Sequence, residues 1–544
     1  MPTAKEPPAM DTTGLQSLWD NSNLKRFARN KTPASRVPEG PANFLLTGYD
    51  SVHVPMLKLR EPLSINVQLQ PTTNQDPMGS ASRDEARRLA FSKNRAVMAP
   101  FDEEVDGFVL ISHGDGATKD GRLIGDAGPS NVLSELRYLN DISEAVDSLD
   151  EVFWPINKKI HDNPERGFKE FIAHDALTGF MKSQRGWVVT PSAYGMDTAW
   201  VAVFDTGRRG PVVSFNAEMD CLPGIGHACG HNLIATASVL GAVATAQVME
   251  LRRAPGKVVL FGTPAEEGGG GKIRLLNAGA YSDHKVDVSL ISHPGITPNA
   301  ALMRTTSYLQ FKVEYFGREA HAAANPWLGI NALDALIAGY NNVSALRQQI
   351  MPEDRVQGYI TDGGIAPNII HAYAAGLFVV RSDTQKRLDE LKEKVYDCFK
   401  AGALATGAKV TITEKWGYKN HMPNRTMAQS YTRYFNALDP PGEIAVDQDI
   451  DETRGKTQAS TDQGDISHAM PSLSPAFRLQ PGPKGQGPHN PEFAEAAGTR
   501  DAYVRTLRVA KGLAGVALDV LLTEGLLDEV KRDWESMIAV ERNL

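Results

Sequence analysis

Three short apolar runs, PVVSFNA (211–217), KVVLFGT (257–263) and VDVSLIS (286–292), alternate with stretches of helical period. Buried strands alternating with helices predict an α/β fold with a mostly parallel sheet. Upstream, LNDISEAVDSLDEVFWPINKKIHDNPERGF, from residue 139, reads as one long amphipathic helix ended near Asn163-Pro164. From about 305 the period changes. The strand SYLQFKVEYF precedes a helix with Ile330, Leu333, Leu336, Ile337, Tyr340, Val343 and Leu346 on one face, and strand-like stretches follow near 356–361 and 373–381. A second helix carries Leu388, Leu391, Val395 and Phe399, and the strand AKVTITEKW closes the unit. This βαββαβ order predicts a two-layer α+β insert over 305–420. The chain then returns to the first domain and ends in two long helices, AAGTRDAYVRTLRVAKGLAGVALDVLL and LLDEVKRDWESMIAVE. The expected organisation is an N-terminal extension over 1–138, partly disordered and without an assigned role, an α/β domain built from 139–304 and 421–544, and the insert between them.

Composition narrows the partners. At 544 residues, 42% apolar and 22% charged, the chain has globular composition and room for more than one domain. Lys+Arg 57 against Asp+Glu 65 leaves a formal charge of −8. No basic run interleaved with aromatics is present, so no nucleic-acid partner is expected. Cys221, Cys229 and Cys398 are odd in number and irregularly spaced, which argues against a disulfide framework. Glu6, Asp11 and Asp20 lie where a secretory signal would need an apolar core. No uninterrupted apolar run reaches the roughly 18 residues of a membrane span. A soluble cytoplasmic protein is expected.

The chemistry gathers where the strands end, the place where open α/β sheets bind ligands. IGHACGHNLIATA (225–237) sets Cys229 and His231 two apart in a Gly-bounded turn. A thiolate and an imidazole there can face one cation, and zinc accepts mixed sulfur and nitrogen ligands; the alternative is a small buried thiol and a helix-capping histidine. FGTPAEEGGGGKI (261–273) follows two carboxylates with four glycines, a poor helix interior that implies a loop. Adjacent side chains point apart, so Glu266 and Glu267 can divide base and ligand work, unless they form a solvated acidic turn. ISHPG puts His293 at a third strand terminus. Three successive strand ends bearing Cys/His or Glu make one rim of a metal site.

With these motifs in view, the chain resembles metallopeptidase family twenty, the dinuclear zinc aminoacylase and carboxypeptidase type of amidohydrolase. The resemblance covers about 140–544 through NAEMDCLPGIGHACGHN, FGTPAEEGGGGK, GREAHAAANPWLGINALDA, GGIAPNII, STDQGDISH and HNPEFAEAAGT. Within the family it is most similar to the β-alanyl-lysine (Xaa-Arg) dipeptidase group and next to the aminobenzoyl-glutamate hydrolases. The resemblance implies a zinc-peptidase catalytic domain, with the insert as a lid that also forms a homodimer contact. It implies Cys229, His231, Glu267, His293 and His489 as ligands of one or two Zn2+ ions, with Mn2+ or Co2+ as substitutes. Glu266 is then the general base, and His321 is the lid histidine that reaches into the neighbouring copy's site. Asn368 and Arg381 would hold the substrate backbone and its carboxylate, and Asp220 and His227 would orient the ligands. Asn232 stands where many relatives carry Asp. His468 is not expected as a ligand, and Cys221 and Cys398 are expected in the core.

The implied activity is metal-dependent hydrolysis of a small dipeptide, ending in Lys, Arg or ornithine, or of an N-acyl or aminobenzoyl amino acid. A catalytically idle scaffold is the rival from another class. Retention of Glu266 together with all five ligands favours the enzyme.

Overall fold

The computed structural model describes residues 136–543; most of the expected N-terminal extension, with its strand-like SVHVPMLKL and LSINVQLQ, lies outside the described residues. Among the described residues the main sheet has six strands: β1 (Trp187–Pro191), β2 (Trp200–Asp205), β3 (Val212–Glu218), β4 (Lys257–Thr263), β5 (Val288–Leu290) and the late β11 (Ser472–Leu473). Their order is β1-β2-β4-β3-β5-β11. The pairs from β4 to β11 are parallel, as the apolar runs predict, whereas β1 and β2 add an antiparallel edge that the sequence reading did not assign. Every residue of β3 is buried, which explains why it reads as a continuous apolar run.

The helix His231–Arg252 packs on β3 and against the helix Arg500–Leu522. It is long and apolar enough to cross a membrane, but 94% of its apolar window lies inside the protein, so it is a core helix. The expected single helix from 139 is two, Leu139–Asp147 and Asp150–Asp162. The break comes where the Ser148 hydroxyl turns back to donate to the Ala145 carbonyl, 2.8 Å, and where Asp150 and Glu151 favour a new helix N-terminus.

The insert carries its own four-stranded antiparallel sheet, β7 (Ser307–Phe316), β8 (Arg355–Asp362), β9 (Tyr373–Ser382) and β10 (Lys409–Tyr418), in the order β10-β7-β9-β8. Two helices, Ala332–Leu346 and Gln385–Thr406, cover it. Leu388, Leu391, Val395 and Phe399 are buried as expected. The buried face of the first helix differs from the expected one: Ala332, Ala335, Leu336, Gly339 and Val343 point inward, while Ile337 and Tyr340 are exposed. The reason is close helix approach. A Cβ on Gly339 would lie 2.7 Å from the Tyr315 hydroxyl and 2.8 Å from the Phe399 ring, so small residues must form the seam and larger ones turn outward. A separate two-stranded ribbon, β6 (His293–Gly295) beside β12 (Ala476–Arg478), lies past the end of β5. His293 therefore opens its own short strand instead of ending β5.

Gly339→Val should cost about 1–3 kcal/mol of stability through overpacking against Tyr315 and Phe399, read as a lower urea midpoint for the transition that includes the insert.

Candidate metal centre

Gly230, at φ 76°, ends the turn after β3 in the left-handed region, and a Cβ there would meet the Pro294 ring at 2.7 Å. That turn delivers Cys229 and His231 to the mouth of the sheet. The Cys229 Sγ lies 3.4 Å from the His293 Nε2. The ligand atoms of Cys229, His231 and His293 fall within 4.8 Å of one another, as do those of Cys229, Glu267 and His489, and those of His231, Glu266 and Glu267. His489 arrives from far along the chain: its backbone N–H donates to the Ala228 carbonyl at 2.8 Å, and its Nε2 lies 3.4 Å from the Glu267 Oε1. The five expected ligands and the expected base are thus brought together.

Asp220 organises them. Its Oδ1 sits 3.1 Å from the His231 Nδ1 and accepts the Glu266 N–H at 3.0 Å, while its Oδ2 accepts the Glu267 N–H at 2.9 Å. With Nδ1 engaged, His231 presents Nε2 to the cluster. His293 does likewise, its Nδ1 being 2.8 Å from the Pro294 carbonyl. One residue earlier, the Ala265 N–H donates to Glu170 at 2.8 Å, and Tyr418 donates to the Glu266 carbonyl at 2.6 Å. Burial pushes Glu170 up to about 7, against the pull of its Thr198 hydrogen bond.

The donor set fits a divalent cation. His231 Nε2, Glu218 Oε2 and Glu267 Oε1 are buried without a hydrogen-bond partner. Burial, then the Glu267 carboxylate, pushes the Cys229 thiol up, and burial with Glu218 and Glu267 nearby pushes Glu266 up. Glu267 runs the other way: burial raises it, but His489 and His231 outweigh that and hold it low. Crowded carboxylates beside a thiol and two inward-facing imidazoles are the surroundings that a positive ion relieves.

Two cavities share Glu267. One of about 120 Å³ runs under the insert, bounded by Glu266, Tyr308, Arg381, Trp416, Ser460 and His489. The other, about 260 Å³, lies toward Phe168, Arg166 and Arg274. A larger cavity, about 710 Å³ beside Phe435, Pro440 and Arg508, holds none of this chemistry.

Other expected site residues are placed differently. Arg381 lies over the Tyr308 ring, 4.5 Å from its centroid, and donates to the Ser460 hydroxyl at 2.7 Å, so it faces the first cavity. Asn368 does not join it. Asn368 is exposed on the insert, where its carbonyl accepts the Ala322 N–H at 3.0 Å beside the equally exposed His321, because 320–322 and 368–370 pair as a short ladder. Neither reaches the cluster within this chain. His227 is buried but forms no hydrogen bond to a ligand side chain; burial, then His231 and His161, pushes it down to about 3. Asn232 turns into the core, bonding Asn157 and the Ala497 carbonyl, and the His468 Nε2 sits 3.2 Å from the Asn420 carbonyl, off the cluster. Cys221 is buried and Cys398 half-buried.

Sequence reading passed over Glu218, Lys272, Asp462, Glu170, Tyr418 and Trp416. A signal existed for the first three: Glu218 ends an apolar strand, Lys272 directly follows the glycine run, and Asp462 lies within STDQGDISH. A charge that a strand carries into a core must find an opposite charge. Trp416 had none, because a register shift at Lys415 interrupts the strand alternation, and its ring lies beside Gly268 of the Glu266–Glu267 loop.

Peptidase family M20/M25/M40 matches residues 214–504. The Xaa-Arg dipeptidase of Mus musculus is 38% identical over 74% of this chain and 93% of its own length, and that of Homo sapiens is 36% identical over 77% and 97%. One of the p-aminobenzoyl-glutamate hydrolase polypeptides of Escherichia coli is 27% identical over 73% and 94%. Among solved structures, a dinuclear metal-binding peptidase of Bacillus subtilis superposes with a TM-score of 0.51 at 17% identity, covering 69% of this chain and 99% of its own. An aminobenzoyl-glutamate utilization protein of Klebsiella pneumoniae gives 0.53 at 18%, covering 71% and 100%. These two likenesses concern the fold.

Asp220→Asn should leave the fold intact and weaken metal retention about 10–100-fold, measured by competition with a chromogenic chelator.

Proposed function

The chain belongs to peptidase family M20/M25/M40 and is a metal-dependent hydrolase of amide bonds; from that premise we propose that it cleaves small dipeptides whose C-terminal residue is Lys, Arg or ornithine. The observation that carries the reading is the clustering of a buried base, Glu266, with five metal-binding side chains between two cavities, one for each side of a scissile amide. The curated Xaa-Arg dipeptidases, similar over three quarters of the chain, supply the substrate class.

Each residue has a task. Arg381, oriented by Tyr308 and Ser460, offers a planar guanidinium to the substrate carboxylate. Glu266, with its carbonyl fixed by Tyr418 and its N–H by Asp220, takes the proton of the attacking water and delivers it to the leaving amine. Cys229, His231, Glu267, His293 and His489 would hold a divalent cation, which when bound would supply Lewis acidity to the attacking water and the amide carbonyl. Zinc suits the thiolate–imidazole–carboxylate set. Because Cys229 and Glu267 each belong to two of the ligand groupings, two ions per chain are part of the proposal.

A homodimer through the insert completes the reading. Trp327 is 76% exposed, Tyr359 60% and Ile365 86%, all on the insert, and His321 points outward from the same region. Such a surface fits a partner copy, with His321 donating into the opposite site. Three unpaired cysteines suit the reducing cytoplasm.

With zinc added, the protein should release amine from β-alanyl-lysine faster than from acetyl-amino acids or aminobenzoyl-glutamate. Turnover should vanish with chelator and fall by about 10²–10⁴-fold in Glu266→Gln. A preference for aminobenzoyl-glutamate would move the assignment to that group. Arg381→Ala should raise KM about 10–100-fold with a smaller change in kcat. Mixing His321→Ala with Glu266→Gln chains should restore activity in mixed dimers; a confirmed mixed dimer without recovery rules out the role between copies.

A further inference from the structure

Lys272 has no exposed surface, and neither has Asp462; Glu218 is 1% exposed. The Lys272 ammonium lies 2.6 Å from the Glu218 Oε1 and 2.5 Å from the Asp462 Oδ1, while the backbone N–H of the same lysine donates to the Asp462 Oδ2 at 2.9 Å. One carboxylate thus grips both the main chain and the side chain of Lys272. Burying such a group is costly, and a well-packed apolar replacement is often as stable, so global stability is a weak reason for its presence. Its connections give a better one.

The Glu218 arm reaches the metal cluster. The free Glu218 Oε2 has no hydrogen-bond partner and lies 3.4 Å from the His231 Nε2. Ligand atoms of Glu218, Glu266 and Asp462 fall within 4.8 Å of one another, so without an internal cation these three carboxylates would drive each other apart. The Asp462 arm reaches the substrate anchor. Two residues before it, Ser460 accepts from Arg381 at 2.7 Å and donates to the Thr306 carbonyl at 2.8 Å. One residue after it, Gln463 accepts from Asn216 of β3 at 2.8 Å. Lys272 itself closes the loop that carries Glu266 and Glu267, at the start of the helix Gly271–Asn277.

We propose that Lys272 is a positioning residue for the hydrolysis: a built-in cation that holds three parts of the site in one register. These are the Glu266–Glu267 loop, the Glu218 carboxylate facing His231, and the segment that seats Arg381. The role rests on the amide-hydrolase reading above, but its geometry can be tested without turnover.

The test uses the full chain loaded with cobalt(II), whose visible absorption reports ligand geometry, in three forms: wild type, Asp462→Asn, and the double variant Lys272→Met with Asp462→Asn. The double variant removes one charge of each sign, so that Glu218 alone loses its ammonium partner, while Asp462→Asn by itself keeps the Lys272–Glu218 pair. The expected result is a thermal midpoint and cobalt content near wild type with a displaced cobalt spectrum in both variants. On the dipeptide that the wild type cleaves, kcat should fall about 10–100-fold while KM stays within about threefold. Lys272→Arg, which keeps the charge, should recover part of kcat in a folded protein. A folded variant with the wild-type cobalt spectrum and a kcat within about twofold of wild type overturns the proposal. If the double variant does not fold, Asp462→Asn decides alone. If the wild type is silent on the whole substrate panel, the dipeptidase reading fails, and the cobalt spectra still decide the role of Lys272.

Discussion

Asp220 is the constraint on which the site depends. Two oxygens on one buried carboxylate hold an imidazole and two consecutive backbone N–H groups, so the His231 ring and the main chain of Glu266 and Glu267 are oriented by the same anchor. The strand that precedes Asp220 is buried along its whole length, which makes the anchor rigid. The loop it restrains would otherwise be free to move, since four glycines follow Glu267. Catalytic groups need placement to within about 0.5 Å, and hydrogen bonds from a rigid strand to a soft loop provide it at low cost in side-chain entropy.

A second constraint is charge. Glu218, Asp220, Glu266, Glu267 and Asp462 place five carboxylates in one largely buried region against one ammonium, that of Lys272. In a medium of reduced dielectric, such crowding persists only when positive charge is close by. Lys272 supplies part of it from within the chain, and the grouping of Cys229, His231 and His293 is where a divalent cation would relieve the rest. The deep end of the cluster is thus closed by a salt bridge, while at the shallow end the His489 side chain is 57% exposed.

The insert meets the rest of the domain through specific polar contacts, three of which bear on how it is seated. Arg381 bonds Ser460, Tyr418 bonds the Glu266 carbonyl, and the Gln385 N–H reaches Glu541 on the last helix at 2.9 Å. The first two involve Arg381 and the Glu266–Glu267 loop directly. The seating of the insert therefore shapes the site, and the aromatic pair Tyr308 and Trp416, with ring centroids 4.8 Å apart, lines the cavity beside Glu266.

The sequence by itself determined the layered α/β core, the βαββαβ insert, and the strand-end placement of Cys229, His231, Glu266 and Glu267, because buried strands and helices leave a period that local residue types reveal. The motif resemblance added His489, which has no local signal. Tertiary structure decided the rest. It split the helix after residue 139, turned the face of Ala332–Leu346 so that Gly339 could meet Phe399, and set Arg381 in the cleft while leaving Asn368 and His321 outside. It also joined Lys272 to Glu218 and to Asp462, the latter 190 positions further along the chain. Periodicity reports which face of an element is buried, but not what packs against it. Which charges meet in a core depends on how distant segments are brought together, and that is fixed only when the chain closes on itself.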